Sequence, residues 1–397
     1  MTELTELLAD LVRIPSVGGS PHEAGIQEVL ADWMRAEGLD VDLWELPLPE
    51  LTAQPTFPGM EVTRNKAYGL VGRLPGTGGG RSLMFNGHID VVPPGDLSAW
   101  TDDPYSGRVD GDRLYGRGAC DMKGGLVAAL FAIRELKRDR PRGDVLIACV
   151  AGEEDGGLGT YGLLERGWRA DACVIPEPTG LAVVPANAGA LTFRLCVPGT
   201  SAHASRRTAG VSAIEKFLPV FTALRELEAA RNRDVDPLMR RWDIPYALEI
   251  GTVQAGDWSS SVPGELVAEG RYGVALGESP QAAKAELEAA VAKACAADGW
   301  LAEHPVTVEW WGGQFLPGRN PDPAFTAALV EATGAAPEQW GAPYGSDLRL
   351  LAAAGIPTVQ YGPGAIELAH APDEYVPISE VVTASATLAR LAAAHCR

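Results

Sequence analysis

Leu83-Met84-Phe85-Asn86-Gly87-His88-Ile89-Asp90 opens as a short apolar strand and ends abruptly in Asn, Gly, His and Asp. In an open α/β sheet, the side chains that do chemistry gather at the carboxyl ends of the strands. On extended backbone His88 and Asp90 leave the same side of the chain. An imidazole with a carboxylate two residues on suits a metal-ligating His that an acid holds in one tautomer. A structural His in a turn is the plainer alternative, so the neighbouring strand ends decide.

Four more strand or loop ends carry acids or a histidine. Residues 144–150 form a continuous apolar run, the mark of a strand covered on both faces, and Glu153-Glu154 follow it. Glu177 follows the short run Ala172–Ile175. Asp121 lies in YGRGACDMKGG, just ahead of a helix that runs to about 138 with Leu126, Leu130, Ile133 and Leu136 on one face. His370 lies in the loop IELAHAP. Each acid alone reads as a solvated loop residue. Together, two His, an Asp and two Glu, with another Glu to spare, suit a pair of divalent ions, zinc above all. Adjacent carboxylates at a buried strand end repel unless something cationic sits there, which makes Glu153-Glu154 the sharpest pair. One bridging carboxylate would complete a two-metal hydrolase centre, with the ions ~3.5–4 Å apart.

The rest of the chain supplies the frame. Leu4, Leu7, Leu8 and Leu11 have helical spacing. A second helix starts at Ser20-Pro21-His22-Glu23, read as a capping box with Pro at the first helical position, and Gly38 ends it. Strands are expected near 41–46 and 67–74. PGTGGG at 75–80 lacks the G-K-[ST] ending of a phosphate loop and precedes a strand, so it reads as a flexible surface turn. Asp110-Gly111 marks a hairpin. From residue 190 the pattern changes: Leu191, Phe193, Leu195 and Val197 alternate with polar or small residues, as in a strand exposed on one face. Helices near 211–230 and 280–297 and strands near 246–253, 265–275 and 305–311 complete a β-α-β-β-α-β order, that of a ferredoxin-like unit. The expectation is an α/β catalytic domain, 1–187 and 313–397, around a mostly parallel sheet, with an inserted lid and dimerisation domain at 188–312. The strand 190–197 is expected as an open edge that pairs across a two-fold axis.

Composition narrows the function. At 397 residues two domains are expected. Apolar residues make up 46%, which excludes a disordered chain. A formal charge of −19 argues against nucleic acid and anionic membrane as partners. The opening MTELTELLADLV has no basic n-region and reads as neither signal nor transit peptide; no apolar run reaches membrane-spanning length. The six cysteines are scattered without a C-x-x-C and read as reduced core thiols of a cytoplasmic protein. His22, His304 and His395 fall outside every motif and read as surface or packing residues.

HID at 88–90, GACDMKGG around Asp121, GEE at 152–154, PEPT at 176–179 and the late His370 resemble, in order and over nearly the whole chain, the zinc-dependent aminoacylase and carboxypeptidase family. That family includes acetylornithine deacetylase, succinyl-diaminopimelate desuccinylase and glutamate carboxypeptidase. The resemblance implies that His88 and Glu177 hold one metal, Glu154 and His370 the other, and that Asp121 bridges them. Zinc is implied, with cobalt as the alternative. Asp90 would orient His88, and Glu153 would act as general base toward the attacking water and then pass the proton to the leaving amine. The peptide bond after the bridging Asp is often cis in the family, which makes Asp121-Met122 a candidate. In the inserted domain His203 of GTSAHAS resembles a residue that reaches a neighbouring subunit's site, Arg271 one that contacts a substrate carboxylate, and Ser346 part of a substrate-side loop. One departure stands out: Ser260-Ser261-Val262-Pro263 occupies the place where the family usually carries Asn before Val-Pro. The implied activity is deacylation of an N-acyl amino acid or related N-acyl amine by hydroxide held at the metals, in a homodimer. A dipeptidase or carboxypeptidase with the same centre is the alternative within hydrolases. A binding protein without catalysis is opposed by the intact Glu153, and a nucleotide-binding Rossmann protein by the missing G-x-G-x-x-G.

Overall fold

The computed structural model describes residues 2–397, which fall into two compact units. One comprises the residues up to Ala186 together with Gly318–Trp340 and Ser346–Arg397; the other comprises Asn187–Pro317 and Gly341–Gly345. The first unit is built on a nine-stranded sheet. Its centre runs, in spatial order, Val145–Val150, Leu83–His88, Ala172–Ile175 and Thr358–Gln360, all parallel. Every residue of these four strands is buried, which is why Val145–Val150 and Ala172–Ile175 read as unbroken apolar runs rather than as alternation. Two antiparallel strands, Tyr68–Leu74 and Asp40–Glu45, extend the sheet on one side.

Helix Gly124–Leu136 packs with helix Ile378–His395 and is buried along almost its whole length. Gly125 explains how close it comes: a Cβ there would lie 1.7 Å from the carbonyl oxygen of Pro176. The residue type thus brings the start of this helix, and Asp121 just before it, against the strand end that carries Glu177. The PGTGGG segment forms an exposed bend tied to the residues just before the strand Val145–Val150. The Gly76 N–H donates to Asp144 Oδ1 at 2.8 Å, and Thr77 and Gly78 donate to the carbonyls of Pro141 and Arg142. The expected capping box does not form either. Ser20 makes no side-chain cap, and Glu23 turns inward, accepting from the Gly19 N–H and pairing with Arg64.

The second unit has the β-α-β-β-α-β order: strand Gly189–Pro198, helix Ala213–Arg231, strands Leu248–Ala255 and Glu265–Val274, helix Pro280–Ala296 and strand Thr307–Phe315. Leu191, Phe193, Leu195 and Val197 are buried in one cluster with Val220, Leu224, Leu287 and Val291 of the two helices. The strand at 190–197 is not an edge. It lies between Glu265–Val274 and Thr307–Phe315, antiparallel to both, and the edges are Leu248–Ala255 and Thr307–Phe315. In this topology the first and third strands are the inner ones, and chain order does not reveal that. Leu248–Ala255 is the strand that leaves most of its side chains exposed. All six cysteines are free thiols, and among the described residues no helix is long and apolar enough to cross a membrane.

Candidate metal centre

Three neighbouring parallel strands deliver their carboxyl ends to one place. His88 ends its strand; Glu153 and Glu154 follow Val150 by a few residues, and Glu177 follows Ile175. Asp121 and His370 arrive from loops. The Asp121 carboxylate stands between two imidazoles: its Oδ1 is 3.0 Å from His88 Nε2 and its Oδ2 is 3.5 Å from His370 Nε2. Glu154 Oε2 is 3.1 Å from His370 Nε2, and Glu177 Oε2 is 3.9 Å from His88 Nε2. Ligand atoms of His88, Asp121 and Glu154 lie within 4.8 Å of one another, close enough to share an ion. The Asp121-Met122 peptide bond is cis.

The electrostatics follow from burial. Burial opposes a charge on His88, yet the Asp121 carboxylate, with Glu177 and Asp90 behind it, holds the imidazole pKa well above its usual value. The hydrogen bond that His370 donates to Glu154 raises its pKa to about 9. Burial pushes the Glu153, Glu154 and Glu177 carboxyls up; Asp347 adds to the shift at Glu153 and Asp121 to that at Glu154. Asp121 alone is lowered: burial pushes it up, but its bond to His88, the charges of His88 and His370 and its bond with Glu177 together outweigh that. Four clustered carboxyl groups against two imidazoles would carry an excess of negative charge once ionised, and burial resists that unless a cation is present. That donor set, nitrogen and oxygen with no thiolate among these residues, fits divalent cations such as zinc.

Asp90 does not orient His88 through its carboxylate. His88 Nδ1 lies 2.9 Å from the main-chain carbonyl of Asp90, whereas Asp90 Oδ1 is 3.9 Å away. The Asp90 carboxylate instead accepts the backbone N–H groups of Glu153 at 3.3 Å and Glu154 at 3.2 Å. It thereby ties the Glu153-Glu154 turn to the strand end of His88.

The remaining site candidates are placed differently. Ser346 is fully buried, and its Oγ accepts the Leu348 N–H at 3.2 Å, so its hydroxyl caps a helix start. Next to it Asp347 accepts from Thr160, which accepts from Asn86 of the Leu83 strand. His203 and Arg271 belong to the second unit. His203 is exposed and its Nδ1 accepts the Ser205 N–H, a loop cap. Arg271 is exposed on its strand, with its guanidinium over the Phe315 ring at 5.1 Å. Ser261-Val262 pairs with Ala202-His203, which sets the departing Ser260 beside the His203 turn. His304 stacks on Trp300, and His395 packs edge-on against Phe325.

Sequence reasoning missed two buried ion-pair groups around the centre: Arg117 with Glu374, and Arg64 with Glu23 and Asp155. Arg117 stands in the same YGRGACD segment as Asp121, and Glu374 four residues after His370; that proximity was the available signal.

Known proteins match this architecture. The description "Peptidase family M20/M25/M40" fits residues 84–394. A succinyl-diaminopimelate desuccinylase of Gluconacetobacter diazotrophicus is 31% identical, over 96% of this chain and 94% of its own length. An N-formyl-4-amino-5-aminomethyl-2-methylpyrimidine deformylase of Halalkalibacterium halodurans is 27% identical, over 97% of this chain and 92% of its own. Among solved structures, an M20 family metallo-carboxypeptidase from Sulfolobus solfataricus shares the fold with a TM-score of 0.77 at 18% identity, covering 99% of both chains. The chain belongs to peptidase family M20/M25/M40, and with that family it is a metal-dependent hydrolase of amide C–N bonds.

Proposed function

We propose that this hydrolase removes the acyl group from an N-acyl amino acid or a related N-acyl amine, with two zinc ions held by His88, Asp121, Glu154, Glu177 and His370. The observation that carries the two-ion reading is Asp121, which offers one carboxylate oxygen toward each imidazole. The names of the desuccinylase and deformylase relatives support acyl removal over peptide cleavage. Divalent ions at such a centre supply Lewis acidity, polarising the scissile carbonyl and lowering the pKa of a bound water to about 7. Glu153 takes the proton of the attacking water and returns it to the leaving amine. Its raised carboxyl pKa, from burial and then Asp347, suits a group that must hold a proton between the two steps. Asp90 fixes the turn on which Glu153 sits. The direct test is a panel of N-acetyl, N-formyl and N-succinyl amino acids beside dipeptides, run on zinc- and cobalt-reconstituted protein. Turnover confined to dipeptides would overturn the deacylase reading in favour of a peptidase.

The reading extends to a cytoplasmic homodimer in which His203 and Arg271 serve the substrate. A net charge of −19 gives an anionic substrate no general attraction, so a carboxylate would need a specific bidentate partner, which Arg supplies and Lys does not. Arg271→Lys should therefore raise KM for carboxylate-bearing amides and leave neutral amides almost unaffected. Equal loss on both would mark Arg271 as structural. Equilibrium sedimentation reads the dimer, and a monomer at assay concentration would rule out His203 acting across subunits.

A further inference from the structure

Asp121 and His370 come from chain segments about 250 residues apart, yet one buried ion pair holds both. Arg117 Nη1 donates to Glu374 Oε2 at 2.6 Å, and the two side chains are 2% and 0% exposed. The other Glu374 oxygen accepts two consecutive backbone N–H groups, Cys120 at 2.9 Å and Asp121 at 3.1 Å. The guanidinium reaches the opposite way: Nη2 donates to the carbonyl of His370 at 3.1 Å and Nη1 to that of Ala371 at 3.4 Å. His370 itself has a φ of 61°, a left-handed conformation that a residue with a Cβ adopts at a cost. Something must hold it there, and the bond to its own carbonyl comes from Arg117. The pair is seated by a small ladder in which Tyr375–Pro377 runs antiparallel to Arg113–Tyr115, and the Gly116 N–H donates to the Glu374 carbonyl.

We propose that Arg117 and Glu374 act as one positioning pair, which sets the spacing between Asp121 and His370 and thereby the affinity of the metal site these two residues share. The proposal rests on the two-ion reading above. The pair bonds to the backbone of the ligand loops, not to the ligand side chains. The division of labour is specific. Glu374 holds the Asp121 side and Arg117 the His370 side, so the two residues are separable by substitution.

The test strips the protein with chelator and titrates it with Co²⁺, following the visible absorption of the ion and the heat of binding. Wild-type protein should take up two ions; fewer would mean that the two-ion reading fails, whatever the pair does. In Arg117→Lys the charge stays, but a single ammonium cannot fork between Glu374 and the His370 carbonyl. One binding step should weaken by about 10–100-fold, the usual loss when a partner orienting a metal ligand is removed, and the other step by less than about threefold. In a His370→Ala background the same substitution should cause no additional loss, because the residue it acts through is gone. Glu374→Gln disturbs Asp121, which faces both imidazoles, and should weaken both steps; it carries the test if Arg117→Lys does not fold. Far-UV circular dichroism of the metal-free variants reports folding. Wild-type affinity for both ions in a folded Arg117→Lys or Glu374→Gln protein overturns the proposal. So does equal weakening of both steps in Arg117→Lys, or a further loss in the His370→Ala background.

Discussion

Glu153→Gln should fold, retain its metals and turn over its substrate roughly 10²–10⁴-fold more slowly, the usual range for loss of a general base. The substitution keeps the side chain's size and removes only its ability to accept and return a proton. Glu153 lies in a buried turn whose N–H groups are pinned by Asp90, so the amide should occupy the same place as the carboxylate. The neighbouring Glu154 sets the contrast: it faces His370 at 3.1 Å, and its loss should show first as lost metal. Turnover and elemental analysis on the same preparation separate the two roles. If Glu153→Gln loses metal and its residual activity tracks the metal that remains, Glu153 is a ligand and the assignment is reversed.

Arg64→Met should destabilise the metal-free protein by about 3–5 kcal/mol, the typical cost of removing one partner from a buried ionic group. Arg64 is 1% exposed and forks onto Glu23, itself 1% exposed, at 2.9 Å; its Nη1 meets Asp155 Oδ2 at 2.9 Å. Asp155 in turn accepts the Glu61 and Val62 N–H groups. The substitution leaves two buried carboxylates without the cation they share. Burial raises the Glu23 pKa from 4.5 to about 7 in the folded chain, against the pull of Arg64. The folded state therefore binds more protons than the unfolded chain between about pH 4.5 and 7, and gains stability as the pH falls through that window. Without Arg64 this effect should strengthen, so the deficit should be largest above pH 7 and shrink below it. The midpoint of urea unfolding at pH 8 and pH 5.5 measures both. An unchanged midpoint at pH 8 would show that the three charges are not coupled as their distances imply.

The same network shows where the sequence was legible and where it was not. Buried parallel strands announce themselves as apolar runs, so a polar or ionisable residue closing such a run is visible: His88, Glu154 and Glu177 all stand out in that way. Alternation likewise exposed the second unit, because one face of its sheet lies under helices. What stayed hidden depends on partners far along the chain. Glu23 sits where a capping box predicts it, but Arg64, from 41 residues away, draws its carboxylate inward. Arg117 and Glu374 look like ordinary loop charges until a contact across 257 residues buries both. Ladder order is hidden for the same reason, so the inner strand at 190–197 reads from sequence as an edge.

The central claim is a centre that holds two ions through Asp121, with one imidazole on each side. Elemental analysis of fully loaded protein tests it most directly, comparing wild type with His370→Ala. The account predicts two divalent ions per chain in the wild type and a stoichiometry close to one in the variant, with the site of His88 and Glu177 still filled. Two ions retained without His370, or a single ion in the wild type, would contradict it.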